Sequence, residues 1–125
     1  VMHRNTFINS SKLLNPTLNL KSDERFYFAG QITGSEGYMA AIATGYMAAT
    51  NIMNKLEGKE PFILDNRSSI GSIIEYITEE KKDFQPMGPN FGIIRSLEGK
   101  RIKDKIERYN AISQIALEYI KSINN

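Results

Sequence analysis

An apolar run breaks into glycines and then becomes a helical pattern in the segment Phe26-Tyr27-Phe28-Ala29-Gly30-Gln31-Ile32-Thr33-Gly34-Ser35-Glu36-Gly37-Tyr38. We interpret this segment as a short strand that leads through a glycine turn into the N-terminus of a helix. In open α/β sheets, ligands bind beyond the carboxyl ends of strands, where glycines permit close backbone approach and helix N–H groups favour phosphate or a polarised ring. No G-x-G-x-x-G motif precedes the segment, so the first half of a usual dinucleotide site is not found here.

The composition is that of one ordinary globular domain, with 125 residues, 41% hydrophobic and 24% charged. Sixteen basic and 14 acidic residues give a net charge of +2, which is too balanced to indicate nucleic-acid binding by itself. The chain contains no cysteine, which excludes disulfides, thiolate metal sites and a cysteine nucleophile within it. Because it also has a single histidine, we predict no metal site.

The N-terminal residues do not form a basic-then-apolar signal peptide, and the apolar runs are too short to span a membrane. We therefore expect a cytoplasmic protein that does not contact membranes. The sequence begins with Val1 rather than with methionine. We expect the chain to be a fragment cut from a larger protein.

The hydrophobic pattern predicts an α/β protein in which short strands precede a long helix and two further helices. The strands are expected within residues 1–25 and at Phe26 to Ala29. The long helix is expected from Ser35 to Leu56, with Gly58 as its stop signal. Its apolar face is predicted from three- and four-residue spacing to contain Met39, Ile42, Ala43, Tyr46, Met47, Ala49 and Met53. Glycine is unfavourable inside a helix, so Gly45 is expected where another element packs closely.

Ser68 and Ser69 are candidate caps for the second helix, whose isoleucines recur at i, i+3, i+4 and i+7. The last helix is predicted from about Lys100 to Ile123, with Asp104 and Arg108 at i, i+4 spacing. Between these helices, the loop over residues 83–92 contains two prolines, two glycines and large apolar side chains. We expect this loop to be irregular and packed against the rest of the protein.

The glycine turn is the best candidate for chemistry in the sequence. Gly30, Gly34 and Gly37 would let backbone N–H groups face a ligand, and the amide of Gln31 offers both a donor and an acceptor. Glu36 is predicted in the first turn of the helix, where its charge complements the helix dipole. From the pattern alone, a purely structural strand-to-helix turn is as good an interpretation as a ligand site.

Several separate segments resemble one family, the folate- and flavin-dependent tRNA uracil-5-methyltransferases. The resemblance spans nearly the whole chain but corresponds only to the C-terminal part of that larger enzyme. A related flavoprotein, which builds carboxymethylaminomethyl uridine in tRNA, shares a looser G-Q-I-x-G-x-x-G-Y match. The matching segments are Met2 to Ser10, Leu13 to Leu18, Phe28 to Tyr38, Phe84 to Met87 and Asn90 to Gly92.

The resemblance implies a Rossmann-like enzyme that binds FAD, is reduced by NAD(P)H, takes a one-carbon unit from methylenetetrahydrofolate and methylates a T-loop uridine in tRNA. It implies that residues 1–60 complete the FAD-binding domain and that residues 61–125 form a C-terminal helical extension. No catalytic residue is carried over, because the family's catalytic cysteines lie upstream. His3 and Arg4 are carried over as candidate substrate contacts. The implied cofactor-binding residues are Gly30, Gln31, Ile32, Gly34, Glu36, Gly37 and Tyr38.

Two other classes of function stay open at this point. The chain is alternatively a non-catalytic module that binds tRNA or a protein partner, for which the cations at the start of the last helix are candidates: Lys100, Arg101, Lys103, Lys105 and Arg108. As a fragment, it is also expected to need its N-terminal portion or to self-associate through exposed apolar helix faces. The tyrosines in helical patterns, Tyr38, Tyr46, Tyr109 and Tyr119, are expected in the core.

Overall fold

A computed structural model describes residues 6–88 and 105–123 of the chain. Helix α1 (Ser10–Leu13) is a single turn, and a 3-10 helix (Gly30–Thr33) precedes the long helix α2 (Tyr38–Leu56). Helices α3 (Ser69–Thr78) and α4 (Lys105–Ile123) follow. Helix α3 packs against both α1 and α2, so residues that are far apart in sequence share one core.

The predicted strands are wrong for the residues that the structure describes, which form isolated bridges instead. Tyr27 pairs with Asn19, and the N–H of Phe28 donates to the carbonyl of Leu18 at 2.9 Å. The pairing does not extend into a ladder, because Leu18 adopts a left-handed backbone with φ 71° and turns the partner segment away from an extended path. A strand needs such a ladder, and an apolar run alone does not provide one.

The long helix is confirmed, although α2 begins at Tyr38 rather than Ser35 and ends just before Gly58, whose φ is 71°. The predicted apolar face is mostly wrong. Met47 is buried, but the other large side chains of that face, Met39, Ile42, Tyr46 and Met53, are exposed. The side of α2 that packs inward is formed by Ala40, Thr44, Met47, Ala48 and Asn51.

Helix α3 begins at Ser69, directly after Ser68, which is one of the two predicted cap residues. The hydroxyl of Ser68 accepts a hydrogen bond from the N–H of Gly71 at 2.9 Å, which satisfies one of the free donors of the first turn. Gly71 is required because a Cβ there would collide with the backbone carbonyl oxygen of Asp65. The buried core that α3 shares with its neighbours consists of Leu18, Met47, Ala48, Leu64, Ile73, Ile74, Ile77 and Phe84.

The loop after α3 is packed down as predicted, as far as it is described. Phe84 is only 7% exposed, and its ring lies 6.0 Å from that of Phe7 and 5.9 Å from that of Tyr76. The backbone of Met87 pairs with Ser35 in an isolated bridge, so the loop reaches the glycine turn. Residues 89–92 of the predicted loop lie outside the described residues.

Helix α4 is confirmed over Lys105–Ile123, whereas residues 100–104, including Asp104 of the predicted ion pair, lie outside the described residues. The hydroxyl of Tyr119 accepts a hydrogen bond from the backbone N–H of Asp65 at 2.9 Å. The prediction that tyrosines lie in the core is wrong for Tyr38 and Tyr46, which are 91% and 63% exposed because they lie on the outer side of α2. Among the helices described, none has the length and apolar character to cross a bilayer.

Candidate functional site

The glycine turn adopts the backbone that its glycines allow. Gly30, Gly34 and Gly37 have φ values of 79°, 83° and 100°, a region that side chains with a Cβ rarely adopt. Gly34 closes the 3-10 helix with its N–H donating to the carbonyl of Gln31 at 3.0 Å. Gly37 is the N-cap of α2. The three glycines therefore produce the sharp change of direction between the 3-10 helix and α2.

Hydrogen bonds fix this turn from several sides. The N–H of Ile8 donates to the carbonyl of Ile32 at 2.8 Å. The N–H of Met87 donates to the carbonyl of Gly34 at 2.8 Å, and the N–H of Glu36 donates to the carbonyl of Met87 at 3.0 Å. The turn is thus held between the start of the described chain and the loop after α3.

The expectation that all three glycines offer free N–H groups is wrong. The N–H of Gly30 donates to the hydroxyl of Thr44 at 2.8 Å, and that of Gly34 is bonded to Gln31. Glu36 also differs from expectation, because it precedes the helix instead of lying in its first turn. Any ligand at Gly30 therefore meets its Cα rather than its N–H group.

The glycines differ in the space beside them. A Cβ added at Gly30 or Gly37 would meet no atom within 4 Å, whereas one at Gly34 would lie 2.5 Å from Cζ of Phe84. Gly34 is buried and has a packing role, since it makes room for that ring. Gly30 and Gly37 have no such contact, so their open sides are the part of the turn that a ligand can approach.

The N-terminus of α2, which follows directly on the glycine turn, has no side-chain cap, and its first turn contains no acidic residue. The first N–H groups of a helix have no partner within the helix and carry the positive end of its dipole. The predicted cofactor residues other than Gly30 and Gly34 are exposed around this end: Gln31, Ile32, Glu36, Gly37 and Tyr38.

The other predicted contacts are only partly described. His3 and Arg4 lie outside the described residues, as do the first three cations of the basic cluster. Lys105 and Arg108 are exposed on α4, and both lie over the ring of Tyr109, at 5.6 and 5.5 Å from its centroid. Within residues 6–88 and 105–123, no group of three His, Cys, Asp or Glu side chains is arranged to hold a metal ion.

Sequence reasoning missed the buried hydroxyls behind the turn. Thr44 is fully buried on α2 and accepts from Gly30, while Thr33 and Ser35 donate to the carbonyl of Gly30 at 2.6 and 3.0 Å. The hydroxyl of Ser10 donates to the carbonyl of Thr33 at 2.5 Å. The one available signal was a threonine on the alanine-rich side of a helix, which is ambiguous without its partner.

Comparison with known proteins first shows a likeness to one family over the N-terminal half of the chain. The family model described as Glucose inhibited division protein A matches residues 1–60, a range that includes the whole glycine turn and all of α2. The matched residues thus contain the open glycines and the uncapped helix end.

Comparison with curated proteins gives a more specific likeness, which extends over nearly the whole chain. The chain is 63% identical over 122 residues to the methylenetetrahydrofolate--tRNA-(uracil-5-)-methyltransferase TrmFO of Fusobacterium nucleatum, covering 98% of this chain and 28% of that protein. Proteins with the same name from Sulfurihydrogenibium sp. and Streptococcus uberis are 52% and 44% identical, covering 96% and 100% of this chain but 27% and 28% of theirs. The resemblance inferred from the sequence is therefore confirmed, and the chain spans little more than a quarter of the length of these relatives.

Proposed function

We propose that this chain forms one wall of the FAD site in an enzyme that methylates C5 of a T-loop uridine in tRNA. One observation carries the proposal: Gly30 and Gly37 have open sides on the turn that leads into the uncapped N-terminus of α2. The names of the relatives specify methylenetetrahydrofolate, tRNA and the uracil 5-position. In this proposal, methylenetetrahydrofolate is the carbon donor and NAD(P)H the reductant.

The residues around the turn fit a flavin. No atom lies within 4 Å of a Cβ placed at Gly30 or Gly37, so no side chain blocks the approach of a planar ring at these two positions. The free N–H groups at the start of α2 suit the electronegative atoms of the ring or the pyrophosphate. Gln31 adds an exposed amide, while Ile32 and Tyr38 add apolar surface. When bound, FAD supplies the redox chemistry, and the protein binds and orients it.

The remaining residues have narrower proposed roles. Gly34 acts indirectly, because it accommodates Phe84 and so holds the loop that bonds to Glu36. We propose His3 and Arg4 as tRNA or folate contacts. No residue of this chain is proposed as the nucleophile, since the chain has no cysteine. The boundary of the two proposed units at residue 60 stays a prediction.

The outer face of α2 supports a role within a longer polypeptide. Met39, Ile42 and Tyr46 are exposed along it, and a largely apolar groove of about 520 Å³ separates this face from Ile70 of α3. Contiguous exposed apolar surface of this kind marks an interface. Because the chain spans 28% of its relative from Fusobacterium nucleatum, we propose that the face packs against the remainder of such an enzyme. Self-association is the alternative for the chain alone.

The test uses a composite enzyme, in which this chain replaces the matching segment of the Fusobacterium nucleatum relative. We expect the composite enzyme to retain FAD and to methylate tRNA. Gly37→Ala should lower FAD content, because a Cβ enters the open space at the helix end. Gly58→Ala is the matched control, since Gly58 also has positive φ and open space but lies at the other end of α2. Equal FAD content in the two variants would contradict the proposed site.

The alternatives predict other results. A non-catalytic module would bind tRNA as the 125-residue chain, with affinity that falls steeply with salt, and would not restore methylation in the composite enzyme. The related flavoprotein that modifies uridine differently is favoured only by the family model over residues 1–60. Mass analysis of the tRNA product distinguishes it, because 5-methyluridine and carboxymethylaminomethyl uridine differ in mass.

A further inference from the structure

Gly30 is held at both of its polar backbone groups by buried hydroxyls. Its N–H donates to Oγ1 of Thr44 at 2.8 Å. Its carbonyl oxygen accepts from Oγ1 of Thr33 at 2.6 Å and from Oγ of Ser35 at 3.0 Å. All three hydroxyl-bearing residues are fully buried and Gly30 itself is half-buried, so these bonds are partly shielded from water.

Thr44 links the turn to the long helix. Its hydroxyl donates to the carbonyl of Ala40 at 2.9 Å, with that of Ala41 at 3.1 Å as a second acceptor, and it accepts from Gly30. The hydroxyl therefore acts both as a donor and as an acceptor. The bond from Gly30 connects the 3-10 helix to α2 across 14 residues of sequence.

This arrangement fixes which surface of Gly30 is presented. Its N–H and carbonyl both point to hydroxyls inside the protein, while the position of a Cβ faces open space with no atom within 4 Å. The exposed part of Gly30 is therefore nonpolar backbone around Cα. Such a surface contacts the flat face of a ring by van der Waals packing and donates no hydrogen bond.

We propose that Thr44 is a positioning residue for the flavin, which fixes Gly30 so that its Cα surface packs against the ring system. This inference rests on the proposed FAD site. Hydrogen bonds to the cofactor then come from the start of α2 and from Gln31, and not from Gly30. Thr33 and Ser35 support the same geometry from the carbonyl side.

The experiment compares three variants of the composite enzyme defined above. Thr44→Val removes the hydroxyl and keeps the branched shape, Thr44→Ser keeps the hydroxyl, and Thr78→Val is the control. Thr78 is also buried and donates to its own helix, at Ile74, but it is not bonded to the turn. The first measurement is hydrogen exchange of the segment containing Gly30 in flavin-free protein. The second is the dissociation constant of FAD and its visible absorption spectrum.

We expect Thr44→Val to accelerate exchange at Gly30 about tenfold and to weaken FAD binding about tenfold, because the half-buried N–H of Gly30 loses its acceptor. The bound flavin's absorption bands should shift, since the surface against the ring moves. Thr44→Ser should restore both properties, and Thr78→Val should leave them unchanged.

Two outcomes overturn the inference without affecting the FAD site itself. One is faster exchange in Thr44→Val with unchanged FAD affinity and spectrum, which would make the hydroxyl purely structural. The other is equal loss of FAD in Thr44→Val and Thr78→Val, which would reflect general destabilisation. If the unmutated composite enzyme binds no FAD, the proposed function and this inference both fail.

Discussion

The ring of Phe84 occupies the space that a side chain at Gly34 would need, with Cζ only 2.5 Å from the position of a Cβ. Gly34 also has φ 83°, so two independent features favour glycine there. Gly34→Ala should lower the free energy of unfolding by about 3 kcal/mol, from left-handed strain and overpacking together. Urea unfolding followed by circular dichroism measures this.

The control for that substitution is Gly58→Ala. Gly58 also has a positive φ, but a Cβ there would meet no atom within 4 Å. Gly58→Ala should cost only about 1 kcal/mol. Adding Phe84→Ala to Gly34→Ala should cost less than the sum of the single substitutions, because the clash has gone. Additive costs would mean that the ring is not what excludes a side chain at residue 34.

Asn51 should be important for stability although it is polar. Its side chain is nearly fully buried, and its amide donates to the carbonyl of Phe62 at 3.1 Å and accepts from the N–H of Phe62 at 2.8 Å. Asn51→Ala should lower the free energy of unfolding by about 2 kcal/mol, because both backbone groups lose their partner. Asn54→Ala is the control, since Asn54 makes one exposed bond to Glu60. Similar losses for the two variants would contradict the importance of burial.

The features predicted correctly from sequence depend on neighbouring residues. Ser68 caps α3 by accepting from the N–H of Gly71, three residues later, and the isoleucines of α3 lie on one helical face. Both features can be predicted from a short stretch of sequence. The strand at residues 26–29 was wrong because a ladder requires a distant extended partner, and Leu18 with φ 71° ends the pairing. Local hydrophobicity contains no information about that partner.

The glycine turn lies where the sequence predicts it, whereas its contacts were not predicted and its role as a ligand site stays a prediction. Positive φ at Gly30 and Gly37 agrees with the glycine pattern. Met47 was predicted on the packed face of α2, but the polar residues of its inner side were not predictable, because Thr44 and Asn51 are buried through bonds to Gly30 and Phe62. Hydrophobic spacing instead favours the large apolar residues on the opposite face. That face is exposed in the described residues, so periodicity identified an apolar surface without identifying what covers it.

Stability should fall in acid partly through Asp65. The Arg67 guanidinium forms hydrogen bonds with this carboxylate, including one of 2.6 Å, and holds the pKa of Asp65 below its ordinary value of 3.8. The folded state therefore binds this proton less readily than the unfolded state. Its contribution is complete above pH 3.8 and disappears as the pH falls through the lowered pKa. The effect should be small, because both side chains are about half exposed.

Urea unfolding of the unmutated chain and Asp65→Asn between pH 2 and pH 7 tests this. The free energies of unfolding of these two proteins should differ at neutral pH and become equal at the acid end of the range. Arg67→Gln should reproduce the pH dependence of Asp65→Asn, although it also removes the cation over the Tyr119 ring. A constant difference across the range would show that the ion pair does not contribute to acid sensitivity.

Gly45→Ala should have opposite effects on the stability of the 125-residue chain and of the proposed longer enzyme. No atom lies within 4 Å of a Cβ at this position, so the close packing expected from the sequence is not found among the described residues. Gly45→Ala should raise the free energy of unfolding of the 125-residue chain by about 1 kcal/mol, through helix propensity. If the outer face of α2 packs closely in the composite enzyme, the same methyl group should lower the melting temperature there. Stabilisation in both proteins would contradict close packing of another segment at Gly45.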